Sequence, residues 1–188
     1  MRASDMQVTT VSRPIGFRAL RLSERGALLG VYDVRRNKSA DLQEAIDIGV
    51  RRSTDGGRTW EPMRIAKTFA GERGLPPAQC GIGDPSILVD HVAGSEWIVA
   101  AHTFGMGNGR AWTHSMPGMS EEYTAQLMMV RSNDDGATRS APMNIPPQVG
   151  DASWHFLLQG PGRGITIRDV TPVYAIQFID SVRMPHAG

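Results

Sequence analysis

The chain of 188 residues carries 20 basic and 19 acidic side chains, a formal net charge of +1, and 40% of it is hydrophobic. That is enough apolar material for one sizeable core, and too balanced a charge to draw nucleic acid or a membrane surface by its field. The single cysteine, Cys80, excludes an intrachain disulfide framework and a cysteine zinc cluster, and no apolar run approaches the roughly 20 residues that span a bilayer.

Residues 1–16 lack the continuous apolar stretch of a secretory signal and read as an amino-terminal extension to a domain over 17–188. From Phe17 onward, short β-branched and aromatic runs alternate with Gly, Pro, Asn and Asp, which predicts strands over 17–22, 27–34, 46–52, 86–92, 96–104, 126–131, 156–158, 164–168 and 173–179. Residues 40–48 (ADLQEAIDI) fit about two helical turns. Ile46, Ile48 and Val50 nonetheless alternate with Asp47 and Gly49, so a loop entering a strand near Ala45 is expected.

After the third predicted strand stands Ser53-Thr54-Asp55-Gly56-Gly57-Arg58-Thr59-Trp60, and after the sixth stands Ser132-Asn133-Asp134-Asp135-Gly136-Ala137-Thr138-Arg139. Both follow Ser-x-Asp-x-Gly-x-Thr, with Trp60 replaced by Arg139. Turn chemistry accounts for each position: the aspartate accepts backbone amides, glycine allows positive φ, and Trp packs under the hairpin. Repeated hairpin units of this kind point to radial repetition of small antiparallel sheets, as in a propeller.

Around these turns lie Phe17-Arg18, Gly30-Val31-Tyr32-Asp33-Val34-Arg35, Asp41-Leu42-Gln43, Ile48-Gly49-Val50, Gly83-Asp84-Pro85-Ser86-Ile87, Gly105-Met106-Gly107-Asn108, Arg110-Ala111-Trp112 and the stretch 156–164 (FLLQGPGRG). In order and spacing they resemble the opening of bacterial exo-sialidases with Asp-box repeats. The resemblance implies an all-β fold, a six-bladed β-propeller with its active site at one end of the central axis. At ~40 to 50 residues per blade, the chain supplies about four blades at most, so an incomplete propeller is expected, about the first half of a catalytic domain. The resemblance also implies a secreted or periplasmic protein whose partners are sialylated glycans or glycoproteins.

Sialic acid bears a carboxylate on its anomeric carbon, and a planar guanidinium binds carboxylate through two charge-assisted hydrogen bonds. By resemblance Arg18 is the first of three such arginines, although Ala19 and Leu20 stand where the family has Ile-Pro. Read from the residues alone, Arg18 is equally a solvated strand-end arginine. By resemblance Asp41 is the general acid/base in a loop over the site, and partial desolvation on substrate binding is expected to favour its protonated form. On spacing alone Asp41 is an ordinary loop carboxylate. Arg35 and Asp84 resemble the pair that contacts the 4-hydroxyl and amide side of the sugar, and Trp112 either walls the pocket or belongs to the core or rim. Sialidases use tyrosine as nucleophile; its family counterpart, the neighbouring glutamate and two more arginines are expected beyond this chain, and Tyr32, Tyr123 and Tyr174 are not assigned the role.

The expectation is therefore a retaining exo-α-sialidase represented by a fragment that is inactive by itself. The rival is a non-catalytic Asp-box propeller that binds glycans or acts as a scaffold. No cofactor is expected, and the histidines at 91, 102, 114, 155 and 186 show no metal-ligand spacing.

Overall fold

The computed structural model describes residues 17–42, 44–69, 71–102, 115–117, 121, 124–168 and 171–180. The proposed extension, residues 1–16, lies outside them.

Four strands form the first sheet: β1 (Phe17–Leu22), β2 (Leu28–Arg35), β3 (Ile46–Ser53) and β4 (Arg64–Lys67), antiparallel and side by side in chain order. The next four, β5 (Ile82–Asp90), β6 (Ser95–His102), β7 (Gln126–Ser132) and β8 (Met143–Asn144), repeat the same meander. A single helical turn, α1 (Pro146–Val149), leads to β9 (Trp154–Gln159). Then β10 (Gly162–Arg163) returns to lie parallel beside β5, β11 (Ile165–Thr166) pairs with β12 (Pro172–Val173), and β13 (Ile176–Asp180) pairs with β9. The order of the first two sheets is that of successive propeller blades.

These blades meet through their first strands, β5 packing against β1, β2 and β3. Between them lie Leu29 and Val31 of β2, Ile48 and Val50 of β3, Ile82 and Ile87 of β5, Ile98 and Ala100 of β6, and Met128 and Val130 of β7, all buried. Each fully buried Ile, Leu or Val contributes about 1.5–3 kcal/mol by leaving water. Tyr32 lies opposite Gly49 and its ring closes over it; a Cβ at 49 would stand 2.9 Å from Tyr32 Cε2.

Residues 36–45 enter β3 at Ile46 as a loop of bends, without helix among the described residues. Three differences from the expected strands have physical causes. The short, half-buried β4 follows the first Asp-box with little apolar signal. Strand β5 begins at Ile82 because Gly83-Asp84-Pro85, a turn by composition, is a bulge inside the strand: the pairing jumps from Gly83↔Ala101 to Ser86↔Val99. The run 173–179 divides between β12 and β13.

Both Asp-box turns close the same end of the two sheets, after β3 and after β7. In the first, Asp55 accepts the Thr59 amide at 2.9 Å, the Thr59 hydroxyl at 2.6 Å and the Ser53 hydroxyl at 2.8 Å. In the second, Asp134 accepts the same three from Thr138 and Ser132, at 2.8, 2.6 and 2.9 Å. The Ser53 and Ser132 hydroxyls in turn accept the amides of Gly57 and Gly136. The first aspartate is held well below the usual carboxylate range by the Thr59 hydroxyl and amide and by Ser53. Chiefly through the Thr138 hydroxyl and amide, Asp134 is drawn down to about 2.

Candidate active site at the opposite end of the sheets

At the other end, β2 finishes where β3 and β5 begin. Period-two alternation places Asp33 and Arg35 on one face of β2. Both are buried, and they bond to each other, Arg35 Nη2 to Asp33 Oδ2, at 3.2 Å. The guanidinium also reaches the loop after β2: Nη2 pairs with Asp41 Oδ1 at 2.6 Å, and Nη1 donates to the Ala40 carbonyl. Burial by itself works against the charged guanidinium, yet the hydrogen bond to Asp41 and the charges of Asp33 and Asp41 outweigh it and hold its pKa above the ordinary value.

The second oxygen of Asp33 crosses between the blades and accepts the Asp84 amide at 2.9 Å. Asp84 sits in the bulge of β5 with φ 55, a left-handed conformation that costs a non-glycine residue of the order of 1–2 kcal/mol. From the third unit the Gln159 side-chain amide donates to the Asp84 carbonyl. The strained turn is thus fixed from both sides, by its own N–H and its own C=O.

Arg35, Asp41 and Asp84 are therefore brought into one network. Arg18 belongs to β1, in an irregular stretch of its pairing with β2 between Phe17↔Tyr32 and Ala19↔Val31; its side chain lies outside the described part of the structure, and so does Trp112. Asp33 and Gln159 are the members that sequence reasoning missed. Asp33 stands in a stretch buried on both faces of β2, so the sequence pattern did not single it out. For Gln159 there was no local signal, since its partner is in a different sheet.

The carboxyl of Asp41 is 80% exposed, whereas Asp33 and Arg35 are 1% and 9% exposed. The pair thus sets an accessible carboxyl beside a buried, permanently charged guanidinium that acts as a fixed donor. The base of the loop that carries Asp41 is fastened separately. Arg36 Nε donates to Asp47 Oδ2 at 2.7 Å, the Arg36 amide donates to the Ala45 carbonyl at 2.9 Å, and buried Glu44 gathers Asn37 Nδ2 at 3.0 Å, Lys38 Nζ at 3.2 Å and the Ala45 amide at 2.9 Å. The tyrosines behave differently. Burial raises the phenol pKa of both Tyr32 and Tyr174, and the Tyr174 hydroxyl donates to the Trp97 carbonyl at 2.9 Å; Tyr123 lies outside the described residues.

Successive antiparallel blades with turn boxes at one end and a charged cluster at the other define a partial β-propeller. No family model matches the chain. A sialidase of Bacteroides fragilis (strain YCH46) is 60% identical to it over 166 residues, covering 88% of this chain and 30% of that protein. One from Micromonospora viridifaciens is 31% identical over 153 residues, 80% of this chain and 22% of that protein. Among solved structures, Hadza microbial sialidase Hz136 superimposes with a TM-score of 0.85 at 63% identity over 93% of this chain and 34% of that one. Trypanosoma rangeli sialidase in complex with the inhibitor DANA superimposes at 0.70 with 18% identity over 90% and 27%, a likeness of fold. The chain belongs to the sialidase family, and it spans about a third or less of the length of these relatives.

Proposed function

We propose that this chain supplies the acid/base and part of the sugar pocket of a retaining exo-α-sialidase that acts on sialylated glycans or glycoproteins. The observation that carries the reading is the Arg35–Asp41 pair, 2.6 Å apart and tied through Asp33 to Asp84, within a sequence 60% identical to a sialidase. In this reading Asp41 gives its proton to the glycosidic oxygen as the bond from the anomeric carbon breaks, so the aglycone leaves as a neutral alcohol; the resulting carboxylate later takes a proton from the attacking water. Arg18 pairs with the substrate carboxylate, Arg35 and Asp84 orient the ring, and Trp112 walls the pocket. The nucleophile is supplied by residues other than those described. The alternative, a non-catalytic glycan-binding propeller, has less behind it because the relatives named above are sialidases.

Arg35 Nη2 donates its hydrogen bond to Asp41 Oδ1 at 2.6 Å. Substrate groups that engage Arg35 release Asp41 from it. The test is Asp41→Asn in a full-length protein carrying this chain, assayed on sialosides whose leaving groups differ in acidity. Loss of a positioned acid costs typically 10²–10⁴-fold, and that loss is expected on a sugar leaving group and largely absent on an acidic phenol. An equal fractional loss on both substrates would remove the acid/base role.

A further inference from the structure

We propose that Leu42 is a positioning residue for Asp41, seated in a socket shaped to receive it; the inference rests on the reading of Asp41 as the acid. The loop 36–45 is fastened at its base by Arg36, Asn37, Lys38 and Glu44. Asp41 lies away from that base, and its carboxyl is exposed. An exposed carboxyl on a loop needs an anchor near it to stay within a fraction of an ångström of its working position.

Leu42, the next residue, is that anchor. It packs with Phe156 against Ala125, which is fully buried. On the β5 side the socket is cleared by Gly81, and Gly83 lies against it. A Cβ at Gly81 would stand 2.5 Å from Leu42 Cδ2 and would collide with the Glu44 carbonyl, and a Cβ at Gly83 would touch Leu42 Cγ at 3.6 Å. On the far side Phe156 adopts φ 53, and its amide is held there by the Ser115 and Thr124 hydroxyls, each at 2.9 Å. A β-strand phenylalanine with positive φ is strained, and such strain persists where surrounding bonds enforce it. Two glycines from the second blade, an alanine ahead of β7 and a strained phenylalanine of β9 thus converge on one leucine beside the acid. The arrangement explains why residue 81 is glycine without invoking a ligand.

Leu42→Ala in a full-length protein carrying the chain tests this. The quantity to measure is the ratio of kcat/KM on a sialoside with a sugar leaving group to kcat/KM on one with an acidic phenol. The ratio is unaffected by the fraction of protein that folds, so a merely structural role leaves it unchanged. A displaced acid costs about ten- to a hundredfold on the sugar substrate, by the effect of misplacement on catalysis, and less than about threefold on the phenol, which departs without protonation. Leu42→Met, close in volume, is expected to restore the ratio to within about threefold, and it serves as the comparison with Leu42→Val if the alanine variant does not fold. A ratio unchanged in Leu42→Ala, or in Leu42→Val, while Asp41→Asn lowers it, overturns the role of Leu42 and leaves that of Asp41. A ratio unchanged in Asp41→Asn overturns the reading underneath.

Discussion

The two ends of the sheets both bring aspartates together with donors, yet they use them in opposite ways. At the box end, Asp55 and Asp134 bond within four residues of themselves, to Ser, Thr and backbone amides of the same turn. At the site end, Asp33 bonds to Arg35 in its own strand and to Asp84 in the next blade, and Asp84 is held by Gln159 from a third unit. Local bonds make an aspartate independent of the rest of the fold and stabilise a turn. Long-range bonds make its position depend on how the blades sit together, which suits a group that must match a ligand.

The contrast breaks most visibly at Asp33. Asp33→Ala leaves the buried Arg35 with Asp41 and the Ala40 carbonyl and removes the acceptor of the Asp84 amide, so it is expected to lower unfolding free energy by about 3 kcal/mol, as removal of one partner from a buried pair does. Denaturant unfolding measures this, and a loss no larger than that from a box aspartate would erase the distinction drawn here. A smaller effect is expected at Asp134. Its folded-state pKa, about 2, is below its ordinary 3.8, so the stability it contributes is fully present above pH 3.8 and drains away as pH falls toward 2. Asp134→Asn should flatten that acid limb of the stability profile while leaving any sialoside cleavage at neutral pH unchanged. The smallest effect separates the boxes themselves. Asp135 has φ 55 where the first box has Gly56 at φ 72, and it lies 3.8 Å from Arg52. Asp135→Gly should relieve the backbone and raise stability by less than about 1 kcal/mol, measured by thermal unfolding; a net loss would mean that the contact with Arg52 outweighs the strain.

The same contrast explains what could be read in advance. The box turns were legible because every partner lies within eight residues, and strands β1, β2, β3, β6 and β7 were legible because each carries consecutive or alternating apolar residues bounded by turn residues. Asp84 was singled out by family pattern, while the strand was expected to begin only at Ser86, since Gly83 and Pro85 are turn residues wherever their context is unknown. Asp33 was invisible for a different reason. Residues 29–35 are buried on both faces, so no alternation marks one buried polar side chain as exceptional. Gln159, β4 and the socket of Leu42 follow from how separate segments meet, and no local pattern carries that information.

The parallel pairing of β10 with β5 bears on how the protein is made. Ser86 and Ile87 receive their neighbours Gly162 and Arg163 only after much more of the chain has been synthesised. As β5 emerges from the ribosome, the side that will take β10 therefore waits as an open row of amides and carbonyls, a template for pairing with other nascent chains. Until residue 163 arrives that edge stays open to such pairing, and a chaperone that shelters β5 during translation would be expected to raise the yield.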